Sequence, residues 1–209
     1  MSESSDTVVL SVPTPELAAD VRELLDPELP VEILVWPDEE PAPADRIDLI
    51  VPPYMKQGAT LRALPSLSPR LVQGQAIGYD GVAEVLPPGL VYANASSVHE
   101  TATAELTVAL ILMAQRGLAE HVRNQDRAVW TKEWTPGLAD RRVLLLGYGG
   151  VGKAIAARLA PFETVLVPVA SRARDEDGVH VHGIDELPEL AKDADISSTC
   201  CPAGRRRIT

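Results

Sequence analysis

Short apolar runs rich in β-branched residues recur in the first half of the chain, separated by segments with helical spacing. The runs cover Thr7–Val12, Val31–Trp36, Ile47–Val51, Leu71–Ile77 and Leu90–Ala93. Strand-like runs that alternate with helices are typical of βαβ units, so the pattern predicts a parallel sheet. A helix that begins near Pro15 is predicted after the first run, with one apolar face formed by Leu17, Val21, Leu24 and Leu25.

The longest predicted helix runs from near His99 to about Trp130. Ser97 and Glu100 have the S-x-x-E spacing of a capping box, which would fix its start. The helix is apolar nearly all round, at Ala104, Leu106, Ala109, Leu110, Leu112 and Met113. This pattern predicts burial between two bodies, and we therefore place a domain boundary here, with domains 1–98 and 99–209.

A second α/β region follows this helix. The run Arg141–Gly147 is almost wholly apolar, as the central strand of a parallel sheet must be. The predicted elements after it are a helix at Lys153–Leu159, a strand near Thr164–Val167, a short strand around Val179–Val181 and a helix at Ile184–Ala191. The second domain is thus predicted to be an α/β unit that begins but does not finish.

A glycine motif, G-x-G-x-x-G, lies between the first strand and the first helix of this second region. Gly147 suits a tight turn, Gly149 lets the backbone approach a pyrophosphate, and Gly152 lets helix and strand pack closely. A glycine-rich connector is the alternative interpretation. The position of the motif favours dinucleotide binding, by a segment comprising Gly147, Tyr148, Gly149, Gly150, Val151 and Gly152.

The cofactor type should show at the end of the next strand, where an acidic residue would accept the ribose hydroxyl of NAD. This sequence instead has Ser171, Arg172 and Arg174 there. A hydroxyl and two guanidinium groups suit a 2′-phosphate, so the sequence favours NADP while leaving NAD open. The alternative is that both arginines are solvated loop charges.

Composition restricts the partners. A formal net charge of −11 argues against nucleic acid or an anionic membrane surface as partner, since both attract clustered Lys and Arg. The cysteines Cys200 and Cys201 are adjacent, which gives neither a disulfide framework nor metal-type spacing. We find no secretion signal or apolar run of membrane-spanning length, so we expect a cytoplasmic protein.

Several segments resemble the D-isomer-specific 2-hydroxyacid dehydrogenases. The segment 75–80, Gln-Ala-Ile-Gly-Tyr-Asp, is similar to a first-domain loop of that family, and 91–94, Val-Tyr-Ala-Asn, to the segment before its connecting helix. Thr103-Ala-Glu105, the region of Trp130 and the glycine motif also match, so the resemblance covers about residues 7–196. It implies a flavodoxin-like substrate domain and a Rossmann dinucleotide-binding domain, here incomplete, with substrate in the cleft between them.

The resemblance also implies an activity. Such proteins interconvert a small 2-hydroxy acid and a 2-keto acid with NAD(P) and pair as homodimers. The backbone amides of Ile77 and Gly78 are expected to hold the substrate carboxylate, because paired N–H groups suit an anion. No catalytic residue is assigned, because the family's Arg, acid and His are expected beyond the end of this chain.

The four histidines do not match the family's catalytic histidine. His180 and His182 alternate on a strand and could share one face, but the sequence shows no third ligand, so no metal site is predicted. His99 lies at a helix start facing the expected cleft and could touch substrate, although helix capping explains it equally well.

The last residues depart from the family pattern. After Ile196 a buried strand should continue with Val, Leu and Ile, yet 197–209 is polar and then basic. With GC-rich codons for 196–202, the frame that opens at the third base reads Leu-Val-Asp-Leu-Leu-Pro, which is strand-like. We therefore hypothesise a frameshift or truncation after about Ile196, and we expect the chain alone to be inactive.

Two other functions remain open from the sequence. One is a non-catalytic nucleotide-binding or dimerising protein that uses the apolar face of Leu106–Met113 as an interface. The other is an alanine-dehydrogenase-like enzyme, which shares the two-domain layout but fits segments 75–80 and 104–105 less well.

Overall fold

The protein forms two compact α/β units. The computed structural model describes residues 7–37, 40–54, 58–79 and 81–200. Unit 1 comprises residues 1–96 and unit 2 residues 97–209. Among the described helices, none is both long and apolar enough to cross a membrane.

Unit 1 is built around a five-stranded parallel sheet. Its elements in chain order are β1 (Val8–Val12), α1 (Pro15–Leu24), β2 (Val31–Val35), β3 (Leu49–Ile50), α2 (Gly58–Leu67), β4 (Leu71–Gln73) and β5 (Val91–Ala93). The strands lie in the order β2-β1-β3-β4-β5 with every pair parallel. This order is that of the flavodoxin-like folds, so the predicted architecture of unit 1 is confirmed.

Helix α1 differs in one detail from its predicted face. The Thr14 side chain caps it by accepting a hydrogen bond from Leu17 N (3.2 Å), and Leu17 and Val21 pack beside buried Ala18. Leu24, predicted on the same face, is 87 % exposed. The prediction was wrong there because the helix ends at Leu24, and only Leu25 turns back towards the core.

Unit 2 contains a second five-stranded sheet. Its elements are α3 (Glu100–Gln115), α4 (Leu118–Asp126), β6 (Arg142–Leu146), α5 (Gly150–Leu159), β7 (Val165–Ala170), β8 (Arg174–Glu176), β9 (Val179–Gly183), α6 (Leu187–Leu190) and β10 (Ile196–Thr199). The strand order is β10-β6-β7-β9-β8, and β8 alone of these strands pairs antiparallel. With β8 set aside, the order is that of the first four strands of a Rossmann sheet.

The single long helix predicted over residues 99–130 is wrong, because the structure has two helices there. They are separated by Gly117, whose φ of +60° is left-handed and ends the helical path. The capping box is only half formed: Ser97 N donates to Glu100 Oε1 (2.7 Å), but His99 occupies the N-cap position and makes no side-chain cap.

Helix α3 is buried on one side only. Its residues at helical spacing, Ala104, Val108, Ile111 and Leu112, pack on Ile155 and Leu159 of α5. Leu106, Leu110 and Met113 are 61 %, 54 % and 45 % exposed. The prediction that α3 is buried all round is therefore wrong for the single chain, in which one apolar side of the helix faces solvent.

Strand β10 forms despite its polar sequence. Ile196–Thr199 pairs in parallel with Val143–Leu146 of β6, and Ser198 is buried. The residues after Ile196 lack the Val, Leu and Ile expected of a buried strand, but backbone pairing with an apolar neighbour holds them in register. The remainder of the unusual tail, 201–209, lies outside the described residues.

Candidate dinucleotide-binding site

The turn after β6 has the geometry that the glycine motif predicts. Gly147 has a φ of +101°, and its N–H donates to Val169 O of the neighbouring strand (2.8 Å). A Cβ atom on buried Gly152 would collide with the carbonyl oxygen of Gly147. Glycine at position 152 therefore allows α5 to start directly against the end of β6.

Gly149 lies at the open side of this turn. It is the N-cap residue of α5 and is exposed, and a Cβ atom there would meet nothing within 4 Å. The first turn of α5, which includes Gly150 and Val151, presents backbone N–H groups without intrahelical partners at the positive end of the helix dipole. Such a helix start, with free space beside it, suits a pyrophosphate.

Two side chains outside the motif contact the turn, and neither contact was predicted from the sequence. A Cβ on Gly150 would touch the carboxylate of Glu100, whose Oε2 is buried and has no hydrogen-bond partner in the described structure. The Cys200 thiol donates to Gly147 O (3.0 Å) and Leu146 O (3.3 Å). Both contacts arise from tertiary packing, so no local sequence signal could have identified them.

The segment after β7 carries the residues predicted to choose between NAD and NADP. Ser171 and Arg172 follow the strand directly and are exposed, and Arg172 makes no hydrogen bond or ion pair with any residue the structure describes. Arg174 forms hydrogen bonds within the protein: its Nη2 donates to Tyr148 O (2.9 Å) and its Nε donates to Glu176 Oε2 (3.0 Å). Arg172 is thus the guanidinium available to a ligand, while Arg174 joins the glycine turn to β8.

Glu176 connects this strand to α5. Lys153 Nζ donates to Glu176 Oε1 (2.6 Å), and Arg174 binds the other carboxylate oxygen. These hydrogen bonds, first from Lys153 and then from Arg174, lower the pKa of Glu176. The hydrogen bond to Glu176 likewise raises the pKa of Lys153, so the two groups remain charged at neutral pH.

The predicted carboxylate-binding loop lies in unit 1, after β4. Asn94 Nδ2 donates to Ile77 O (2.8 Å), and Ala95 N donates to Ala76 O (3.0 Å), which ties the loop to the end of β5. The N–H groups of Ile77 and Gly78 donate no hydrogen bond to the described residues. Asp80, the last residue of the matching segment, lies outside those residues.

The histidines lie in three places. His99 is the N-cap residue of α3, and His121 is exposed on α4. His180 and His182 lie on β9 and form hydrogen bonds with Asp175 (2.7 Å) and Glu186 (2.8 Å), respectively. Glu186 joins the pair because the turn after β9 folds back, a contact that was not apparent in the sequence.

A family model places the described site in a known class. The NAD-binding domain of the D-isomer-specific 2-hydroxyacid dehydrogenases matches residues 108–207, which include the whole glycine motif and the segment after β7.

Curated relatives agree with this match. Human glyoxylate reductase/hydroxypyruvate reductase is 27 % identical over 206 residues, which cover 90 % of this chain and 62 % of the relative. Glyoxylate reductase of Pyrococcus horikoshii is 29 % identical over 207 residues, covering 87 % of this chain and 60 % of the relative. The chain thus spans about three fifths of the length of these curated relatives.

Solved structures share the fold. A probable 2-hydroxyacid dehydrogenase from Rhizobium etli, in complex with NADP, HEPES and L(+)-tartaric acid, matches with a TM-score of 0.73 at 20 % identity, over 95 % of this chain and 63 % of its own. An NADPH-dependent glyoxylate/hydroxypyruvate reductase from Sinorhizobium meliloti gives the same TM-score and identity over 96 % and 63 % of the two chains. The motif, the strand orders and these similarities agree: residues 108–207 match the NAD-binding domain of the D-isomer-specific 2-hydroxyacid dehydrogenases, and the chain as a whole is similar to members of that family.

Proposed function

We propose that this chain provides the nucleotide-binding and substrate-carboxylate-binding parts of an NAD(P)-dependent oxidoreductase that interconverts a small 2-hydroxy acid and its 2-keto acid. The observation that carries the proposal is the turn at Gly147–Gly152, where exposed Gly149 leaves open space beside the start of α5, at the end of the central strand. The substrate class comes from the relatives, which are named as glyoxylate and hydroxypyruvate reductases. The nicotinamide cofactor, when bound, supplies or accepts the hydride.

The residues of the chain have separable roles in this proposal. The first N–H groups of α5, with Gly149 beside them, would bind the pyrophosphate. Ser171 and Arg172 would bind a 2′-phosphate, and this favours NADP over NAD. The N–H groups of Ile77 and Gly78, which donate to none of the described residues, would bind the carboxylate of the acid.

Gly149→Val tests the nucleotide site directly. The backbone at Gly149 (φ −93°, ψ −157°) is extended, and its Cβ would meet no protein atom within 4 Å, so the fold should tolerate a side chain. An isopropyl group there would fill the space needed by a pyrophosphate. We expect Kd for NADPH, followed by its fluorescence, to rise at least about tenfold with an unchanged midpoint of thermal unfolding.

Gly152→Ala is the matched contrast. Its methyl group would collide with Gly147 O, so this variant should lose stability itself, by about 1–3 kcal/mol. If Gly149→Val bound NADPH as tightly as the unmodified chain, the nucleotide would lie elsewhere and the proposed function would fail. If the unmodified chain binds NADPH and Gly149→Val does not, a change in NADPH fluorescence on addition of glyoxylate or hydroxypyruvate would test the substrate class.

Homodimer formation is also part of the proposal. The observation that favours it is the exposed apolar side of α3 at Leu106, Leu110 and Met113. Exposed apolar patches of this kind mark protein interaction sites.

A further inference from the structure

Two histidines lie side by side on β9, outside the nucleotide site. His180 and His182 alternate along the strand and so project from the same face. Their ring centroids are 4.7 Å apart, and their planes are nearly perpendicular, at 87°. Two imidazoles at this distance can bind the same ligand.

His180 is oriented by a carboxylate, and a second carboxylate lies beside His182. Asp175 lies opposite His180 in the register of β8 and β9, and its Oδ1 is 2.7 Å from His180 Nδ1. Glu186 Oε2 is 2.8 Å from His182 Nδ1, while its Oε1 accepts a hydrogen bond from Gly183 N (2.8 Å). The Asp175 carboxylate on Nδ1 fixes the His180 imidazole and raises its basicity as a ligand, as in carboxylate–histidine–metal triads.

The ligand atoms converge. One ring nitrogen of each histidine and one carboxylate oxygen of Glu186 all lie within 4.8 Å of one another. Bonds of about 2.0–2.2 Å to a tetrahedral Zn²⁺ require ligand atoms somewhat closer than that. The His182 side chain is 25 % exposed and is held by the turn. The side chains of His180 and Glu186 are 55 % and 42 % exposed, so they can rotate and bring their ligand atoms closer to His182.

We propose that β9 and the turn after it form a binding site for a divalent transition-metal ion of the zinc type, with His180, His182 and Glu186 as ligands and Asp175 as the positioning residue for His180. Two imidazoles and one carboxylate are the donors that such ions prefer over Mg²⁺ or Ca²⁺. Water would complete the coordination, since the site faces solvent.

Zinc titration of the chain tests the site. Cys200 and Cys201 are replaced by serine in every variant, so that thiolates do not contribute. Competition of ZnCl₂ with a chromophoric chelator should show one equivalent bound per chain, and His182→Ala should weaken the affinity at least about tenfold. His121→Ala is the matched control, because it removes an exposed imidazole that lies outside the cluster.

Further variants keep the test decisive if His182→Ala unfolds. His180→Ala and Glu186→Gln change more exposed side chains and should each weaken zinc binding, while Asp175→Asn should weaken it by a smaller factor. The proposal is overturned if the chain shows no stoichiometric binding. It is equally overturned if His180→Ala and Glu186→Gln, with unchanged circular dichroism spectra, bind zinc as tightly as His121→Ala does.

Discussion

Neighbouring glycines in the α5 turn are required for different physical reasons. Gly147 takes a left-handed φ, Gly152 removes a collision with Gly147 O, and Gly149 leaves space for something outside the protein. The first two are conditions for the fold itself. Only the third is unexplained by the fold, which is why it points to a ligand.

Arg172 should determine the preference for NADPH over NADH. Its guanidinium is exposed after β7 and has no partner among the described residues, so it is free to bind a 2′-phosphate. A charge-assisted hydrogen bond contributes about 1.5–3 kcal/mol, so Arg172→Ala should raise Kd for NADPH about 10-fold to 100-fold and leave Kd for NADH unchanged. Fluorescence titration with both nucleotides measures this.

Arg62→Ala is the control for this prediction. Arg62 is an exposed arginine on α2 in unit 1, so its loss changes the net charge equally without touching the segment after β7. An equal loss of NADH and NADPH affinity in Arg172→Ala would contradict a role in phosphate recognition.

At the level of elements, the sequence predicted what depends on local pattern and missed what depends on packing. The apolar strand at Val143–Leu145 and the glycine turn after it could be identified because their periodicity and residue types are local. The break at Gly117 was missed because one glycine inside an apolar helix is compatible with a continuous helix. The polar residues after Ile196 were read as a departure from the expected strand because their pairing with β6 is not visible in their own sequence.

Helix α3 is apolar on the side that packs on α5 and also on its exposed side. Sequence alone could not separate the side that packs on α5 from the side at Leu106, Leu110 and Met113, because both are apolar. The exposed side is the surface that we expect a second copy of the chain to cover.

Leu110→Glu tests this surface. Leu110 is 54 % exposed, so the substitution should be tolerated by the fold, but it would place a charge inside a dimer interface. Sedimentation velocity should show the dimer dissociation constant rising at least about tenfold. Leu24→Glu, at an exposed leucine on α1, is the control and should have no effect. A chain that is monomeric before any substitution would contradict the dimer.

At the scale of the whole molecule, the side chain and backbone of Asp48, the residue before β3, bond Val9 in β1 and Arg70 just before β4. Asp48 is only 8 % exposed, and its Oδ2 accepts a hydrogen bond from Val9 N (2.9 Å) while Arg46 binds both of its oxygens. The backbone N–H of Asp48 donates to Val9 O (2.8 Å), and its carbonyl oxygen accepts a hydrogen bond from Arg70 N (2.8 Å). The hydrogen bond from Val9 and the charge of Arg46 lower the pKa of Asp48 despite its burial.

The pKa shift of Asp48 determines how the stability of unit 1 depends on pH. A carboxylate whose pKa is lower in the folded state stabilises that state fully above its unfolded pKa, about 4, and loses this contribution as the pH falls through its folded pKa. Asp48→Asn should therefore lower the free energy of unfolding by about 1–3 kcal/mol at pH 7. The difference between the variant and the unmodified chain should shrink below about pH 4.

Trp36 offers a selective measurement of this effect. It is 4 % exposed in the core of unit 1, whereas Trp130 and Trp134 are 91 % and 90 % exposed, so a change of emission on unfolding reports mainly on unit 1. Urea unfolding followed by this emission at pH 7, 5 and 3.5 gives the required free energies. Asp20→Asn removes an exposed carboxylate on α1 and should leave them unchanged. The prediction is wrong if the free energies of unfolding of Asp48→Asn and of the unmodified chain differ by the same amount at all three pH values. The lost stability would then come from altered packing or hydrogen bonding and not from loss of the ionised carboxylate.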